Sequence, residues 1–178
     1  GVKAQLALNN RFFPSTMLAH ELVTSGKLGR VTSFSAEYLH SGSVDPDRPI
    51  GWKQDYDACG GGVLLDLGSH ALDLVIWMCG KVDSIDCITQ TLYSERPTAG
   101  GGRTSNLGED RALMLLQLEN GAAGTVDASK IATGTDDEAF ESACRSIGLD
   151  PADETAIIDA AGQLITPGYV DIHAHGAW

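Results

Sequence analysis

The sequence predicts an α+β fold. Two segments with helical apolar spacing precede a run of strand-like segments, and the last two strands flank Asn120-Gly121. That dipeptide is the strongest short hairpin signal in the chain, because a tight hairpin turn needs backbone with positive φ. Helices kept apart from a run of antiparallel strands define the α+β class.

Taken in order, residues 4–8 read as a strand. Residues 16–24 read as a helix, with Ser15 as N-cap and Gly26 as its stop. Residues 30–40 alternate loosely and are expected to be extended. A polar, Pro-containing loop follows, and residues 63–78 form a long apolar helix. Strands are expected over 82–93, 111–119 and 122–131. Thr135 and Glu138 then form a capping-box pattern ahead of an apolar helical face that ends at Gly148 and Pro151. Residues 157–162 and 165–173 look like short strands.

Composition narrows the function. The 178 residues carry 24 acidic and 12 basic side chains, a formal charge of -12. A nucleic-acid backbone or an anionic membrane surface would select clustered Lys and Arg, so neither is expected as a partner. With 43% hydrophobic residues and 6 Pro, the chain has the material for a core. No apolar run approaches the roughly 18 residues of a membrane span, and Gly1-Val2-Lys3-Ala4 shows no signal-peptide pattern. A start without Met leads us to expect a fragment. Cys59, Cys79, Cys87 and Cys144 have no Cys-x-x-Cys spacing, which suits reduced thiols in a cytoplasmic setting.

The charge is uneven. Residues 1–135 hold 11 basic and 15 acidic side chains, whereas residues 136–178 hold 1 and 9. So sharp a shift marks a boundary, with one domain over 1–135 and a distinct acidic tail over 136–178.

The helix over 63–78 is apolar around nearly its whole circumference and should be buried. At about 100° per residue, Asp66, His70, Asp73 and Trp77 nevertheless share one stripe. A polar stripe on a buried helix is either paired internally or faces a cleft. Asp66 beside His70 has the form of an acid/base pair, the carboxylate orienting the ring and His70 taking a proton from a substrate hydroxyl. The alternative is a hydrogen-bonded Asp-His pair that only packs the helix. Gly60-Gly61-Gly62 upstream favours the cleft, since glycines admit a ligand close to the backbone and leave the first helical N–H groups available.

Trp52-Lys53, Gly60-Gly61-Gly62, Leu64, Asp66, Gly68, His70, Asp73 and Trp77 together resemble the central signature of the Gfo/Idh/MocA oxidoreductases. Asn9, Arg11, Pro14 and Leu28-Gly29 resemble that family's passage from dinucleotide domain to substrate domain. Glu119-Asn120-Gly121-Ala122 and Gly124 resemble its sheet strands. The resemblance covers about residues 1–135. It implies a C-terminal domain on an open, mostly antiparallel sheet with helices packed on one face, from an oxidoreductase that uses NAD or NADP on a sugar, polyol or related compound. It assigns Asp66 and His70 as catalytic residues, and Lys53, Trp52, Gly61, Gly62 and Asp73 as neighbours of substrate or cofactor. The family's Gly-x-Gly-x-x-Gly fingerprint and its Glu-Lys-Pro motif are absent from these residues. Tight binding of NAD or NADP, and activity of the chain alone, are therefore not expected.

Residues from about 149 to 178 depart from that pattern. Ala161-Gly162, Pro167-Gly168, Val170-Asp171, His173 and His175-Gly176 resemble the first strand of D-aminoacylase-type amidohydrolases. Histidines at i and i+2 on a strand point to one side and can share a metal, but a catalytic zinc takes three protein ligands. His173 and His175 are thus an incomplete metal pair, and zinc is not expected. A composite of oxidoreductase domain and hydrolase front is the simplest account, with a hydrolase fragment as the alternative function. A non-catalytic module that forms a homo-oligomer through its open sheet face is the third reading. Among the remaining candidates, His20 is expected on a partly exposed helix face, and His40 at a turn-side hydrogen bond with lining of the cleft as the alternative. Gly100-Gly101-Gly102 is expected to be a loop, not a phosphate cradle.

Overall fold

The computed structural model describes residues 2–133 and, as backbone, the short strands Ile158–Ala160, Gln163–Ile165 and Val170–Ala174. The helix expected after Thr135, along with Cys144 and His175, lies outside the described residues. In chain order the elements are α1 (Pro14–Thr24), β1 (Val31–Leu39), α2 (Tyr56–Cys59), α3 (Ser69–Cys79), β2 (Val82–Gln90), β3 (Glu95–Pro97), β4 (Arg103–Ser105), β5 (Arg111–Leu118), β6 (Ala123–Ser129), β7 (Ile158–Ala160), β8 (Gln163–Ile165) and β9 (Val170–Ala174).

Seven strands form one sheet in the order β2-β5-β6-β1-β9-β8-β7, and β3 pairs with β4 in a separate hairpin. Only β1 and β6 run parallel; the other pairs in the sheet are antiparallel. Helices α1 and α3 cover one face. Ala71, Leu74, Val75 and Met78 of α3 pack with Ala19 and Val23 of α1 against Phe34, Met114, Leu116 and Val126 of the sheet. The opposite face has no covering layer among the described residues, and Ile88, Leu113 and Leu115 are exposed there. The α+β class with an open, mostly antiparallel sheet is thus the observed architecture.

Local chemistry explains where the elements start and stop. The β5–β6 hairpin turns at Asn120-Gly121, with Gly121 at φ 86° and the Asn120 side chain donating to the Cys79 carbonyl at 2.7 Å. Helix α1 begins two residues before the expected start, because Pro14 occupies its first turn and Ser15 is buried inside it. Residues 4–7 are exposed, Leu8 is half-buried, and together they form no strand; they find no partner strand among the described residues.

The apolar helix expected over 63–78 is divided. Leu64–Gly68 forms a π-helical turn that runs directly into α3. Gly68 lets this turn sit on the sheet, since a Cβ there would meet the Leu64, Ala128 and Met114 side chains at 3.0 to 3.7 Å. The stretch Tyr56–Cys79 is in fact 24 residues long and apolar enough, by length and composition, to cross a membrane, which corrects the expectation that no such run exists. Half of its most apolar 18-residue window is buried, and α3 supplies a large part of the core.

Candidate active site

The parallel strands β1 and β6 end side by side, and their carboxyl ends open onto a hollow of about 550 Å³. Crevices outside the carboxyl ends of parallel strands are where open sheets with helical cover commonly bind ligands. Strand β1 brings Tyr38 and His40 to the hollow, Lys130 follows the end of β6, and the π-helical turn brings Asp66 and Leu67. The loop over residues 41–54 forms the rest of the wall with Arg48, Trp52, Lys53 and Gln54.

That loop is pinned from beneath. Ser43 donates its N–H to the Lys130 carbonyl at 2.7 Å, and Gln54 donates to the Ser43 hydroxyl at 3.1 Å. Arg96, fully buried on β3, donates to the carbonyls of Ser43 and Asp45 and lies 3.7 Å from the buried Asp110 carboxylate. Tyr93 adds a bond to the Val44 carbonyl. The β3–β4 hairpin is therefore a brace for the cavity wall. Its turn is Gly100-Gly101-Gly102, with Gly101 and Gly102 at positive φ and Thr98 bonded across it.

Asp66 is the charged centre of the hollow. Its Oδ1 accepts from Lys53 at 2.8 Å and its Oδ2 lies 3.0 Å from the Lys130 ammonium. Burial pushes this carboxyl up, but the hydrogen bonds and charges of Lys53 and Lys130 outweigh it, so its pKa lies below the ordinary value. Asp66 is a carboxylate at neutral pH.

The stripe expected from α-helical spacing therefore separates into two groups. A π-helical turn bonds i to i+5 and advances less per residue than an α-helix, so Asp66 and the residues of α3 no longer share one line. Asp66 turns to the lysines and not to His70. His70 lies outside the lining of the hollow, with its ring edge-on to Tyr38 at 6.1 Å and its buried Nδ1 without a hydrogen-bond partner. Asp73 instead takes a two-pronged ion pair from Arg11, and Trp77 stacks on His20 with centroids 3.8 Å apart. These two tie α3 to α1 and to the turn Asn9–Phe12 before it. His40 is exposed at the hollow beside Tyr38.

The glycines act differently from expectation. The Glu109 carboxylate accepts from the N–H groups of Gly62 and Leu64 at 3.2 and 2.9 Å, and its carbonyl accepts from Val63 at 2.8 Å. The first N–H groups of the helix are thus occupied from within and are not available to a ligand, which corrects the earlier reading. Gly62 has to be glycine because Glu109 approaches so closely that a Cβ would meet its backbone N and O at 2.3 Å. A smaller recess of about 230 Å³ lies beside the hollow, lined by Gly61, Gly62, Cys59 and Leu65 and sharing Trp52, Lys53 and Asp66 with it. Trp52 is 70% exposed, and the Lys53 ammonium lies 5.9 Å from its ring.

Lys130, Glu109 and Arg96 were not singled out by the sequence, because their partners lie 14 to 64 residues away, where spacing carries no signal. His173 falls on β9 opposite Ser33 of β1. Among the described residues no group of three His, Cys, Asp or Glu side chains is placed to hold a metal.

The chain thus carries an ionised carboxylate between two lysines at the ends of the parallel strands of an open sheet with one helical layer. The model of the GFO/IDH/MocA C-terminal domain matches residues 16–145, and the chain belongs to that family. Levoglucosan dehydrogenase of Pseudarthrobacter phenanthrenivorans is 30% identical over 142 residues, which are 72% of this chain and 36% of that protein. The structure of levoglucosan dehydrogenase in complex with NADH and levoglucosan superimposes with a TM-score of 0.70 at 29% identity, over 75% of this chain and 35% of that one. The chain thus spans about a third of the length of these relatives. A partial likeness of another kind accompanies them: imidazolonepropionase of Geobacillus sp. is 34% identical over 82 residues, 46% of this chain and 18% of that protein.

Proposed function

We propose that the chain is the substrate-binding and proton-handling domain of an oxidoreductase that oxidises a hydroxyl of a sugar or polyol with NAD or NADP. The observation that carries this reading is the Asp66 carboxylate, fixed between Lys53 and Lys130 at the wall of a hollow and one turn from a histidine with an unpaired buried nitrogen. The family membership and the levoglucosan complex of a relative support it.

The residues fit the substrate side of that chemistry but not the dinucleotide. No glycine fingerprint occurs in the sequence, and Glu109 fills the helix start that might otherwise cradle a pyrophosphate. On this reading the hydride acceptor would be held by groups outside residues 2–133. What this chain supplies is orientation and a base. The ammonium groups of Lys53 and Lys130 donate to substrate hydroxyl oxygens, and the Asp66 carboxylate accepts from a hydroxyl. We assign His70, as the family resemblance implies, the proton of the reacting hydroxyl, although its ring stands against Tyr38 outside the lining of the hollow.

The test joins residues 1–135 to the dinucleotide-binding domain of levoglucosan dehydrogenase and follows polyol-dependent reduction of NAD and NADP. Activity that His70→Ala abolishes, with substrate binding retained, supports the assignment. Full activity in His70→Ala removes His70 from the chemistry. The boundary near residue 135 belongs to this reading, as does assembly through the open sheet face, where Ile88, Leu113 and Leu115 are exposed. Light scattering that returns the monomer mass at all concentrations would exclude the assembly.

A further inference from the structure

The chain as a whole is strongly acidic, yet the hollow is not. Three permanent cations line it, Arg48, Lys53 and Lys130, against the single carboxylate of Asp66. Asp66 is shared between the two lysines, so it balances only one of them. Arg48 is balanced by nothing charged: its Nη1 donates to the Gly42 carbonyl at 2.8 Å, and no carboxylate among the described residues comes within ion-pair distance of it. The acids of the same stretch do not line the hollow. Asp45 accepts from the backbone N–H of Asp47, and Asp55 caps α2 through the N–H groups of Asp57 and Ala58. Two uncompensated positive charges thus face a concave space, with Arg48 exposed and Lys53 half exposed, so their field attracts an anion but is screened by salt.

We propose that the hollow is built for an acidic sugar, a polyhydroxylated substrate that carries a carboxylate. This rests on the functional reading above and specifies its substrate. The Arg48 guanidinium receives the carboxylate, for which its planar set of donors is the matching partner. Asp66 and the two lysines engage the hydroxyls. Arg48 stands on a loop whose position is set by the buried Arg96 bonds to Ser43 and Asp45. Selectivity for the anion is therefore fixed by the fold before substrate arrives.

The test is a titration of the 178-residue chain at low ionic strength, read from the amide and side-chain NMR signals of Tyr38, Asp66 and Lys130. The probes are D-gluconate, its neutral counterpart D-glucitol, D-glucose 6-phosphate and inorganic sulfate. The expected result is binding of D-gluconate at least about tenfold tighter than D-glucitol, a factor worth about 1.4 kcal/mol. Arg48→Gln should bring the ratio close to one while the spectrum stays native, and added salt should shrink it. Equal binding of gluconate and glucitol, or a ratio that survives Arg48→Gln, overturns the inference and leaves the polyol reading standing. Tighter binding of the sugar phosphate overturns the choice of carboxylate, and sulfate displacing gluconate with equal affinity reduces the site to a simple anion trap. If no polyol moves these signals, the inference and the functional reading fall together.

Discussion

Replacing Gly62 by alanine places a Cβ 2.3 Å from both the backbone N and O of Glu109, and 2.7 Å from its carboxyl carbon. Two of these atoms are backbone, and only the third, the carboxyl carbon, belongs to a side chain that can swing. The Glu109 backbone is held by the Val63 bond, and its carboxylate by Gly62 and Leu64. The helix start and the segment before β5 must separate. Overpacking of this kind costs about 1–3 kcal/mol, and each hydrogen bond lost from a charged acceptor costs about 1.5–3 kcal/mol. With one carboxylate bond lost and the others stretched, the expected loss is about 4 kcal/mol. At a slope of roughly 2 kcal/mol per M, the urea midpoint falls by about 2 M. Glu109→Ala removes both carboxylate bonds without the clash and should cost about 3–6 kcal/mol. Because the two changes strike one contact, their double variant should be less damaging than the sum of the singles, by at least about 1 kcal/mol. A Gly62→Ala protein within about 0.5 kcal/mol of the parent would refute the reasoning, since Glu109 then cannot sit where the structure places it.

Other outcomes follow from the same contacts. The Asp66 carboxyl should titrate below its usual value, and Lys130→Met should move its midpoint upward in a carbon-detected pH titration; an unmoved midpoint would disprove the pairing. Because that pKa is lowered on folding, the pair stabilises the fold above the unfolded value of about 3.9, and the contribution disappears as pH falls through the folded value. Arg96→Met leaves Asp110 buried without its cation and frees the loop over 41–54, so a loss of about 3–5 kcal/mol is expected by denaturation, together with broadened signals from Ser43 and Gln54. Burial pushes the Cys79 thiol up to about 11, so iodoacetamide at mildly alkaline pH should spare it and label exposed Cys87 first, as peptide mass spectrometry would show. Labelling of Cys79 at the same rate would mean that α3 opens readily.

Much of this architecture is local and could be read from residue order. Strand β5 alternates buried and exposed side chains along its length, and Asn120-Gly121 can hardly do anything but turn. Short elements with weak patterns were missed: β3 is three residues ending in Pro97, and α2 is a single turn capped by Asp55. The site was half legible. Asp66 stood out as a charge on an apolar helix, but its partners could not be inferred, because Lys130 reaches it across the fold and the π-helical turn changes which residues share a face. Asp73 and Trp77 looked equally functional by spacing, and Arg11 and His20, brought up from the preceding turn and helix, are what they meet. Periodicity reports a residue's angle about an axis; it is silent about what stands opposite.

The most direct measurement is a crystal structure of the chain with a bound polyol acid. It should show the sugar between Arg48 and Asp66, with one hydroxyl within hydrogen-bond reach of His70 and others on Lys53 and Lys130. A ligand seated elsewhere, or a His70 ring walled off from it by Tyr38, would contradict the assignment of this hollow as the place where the hydroxyl is oxidised.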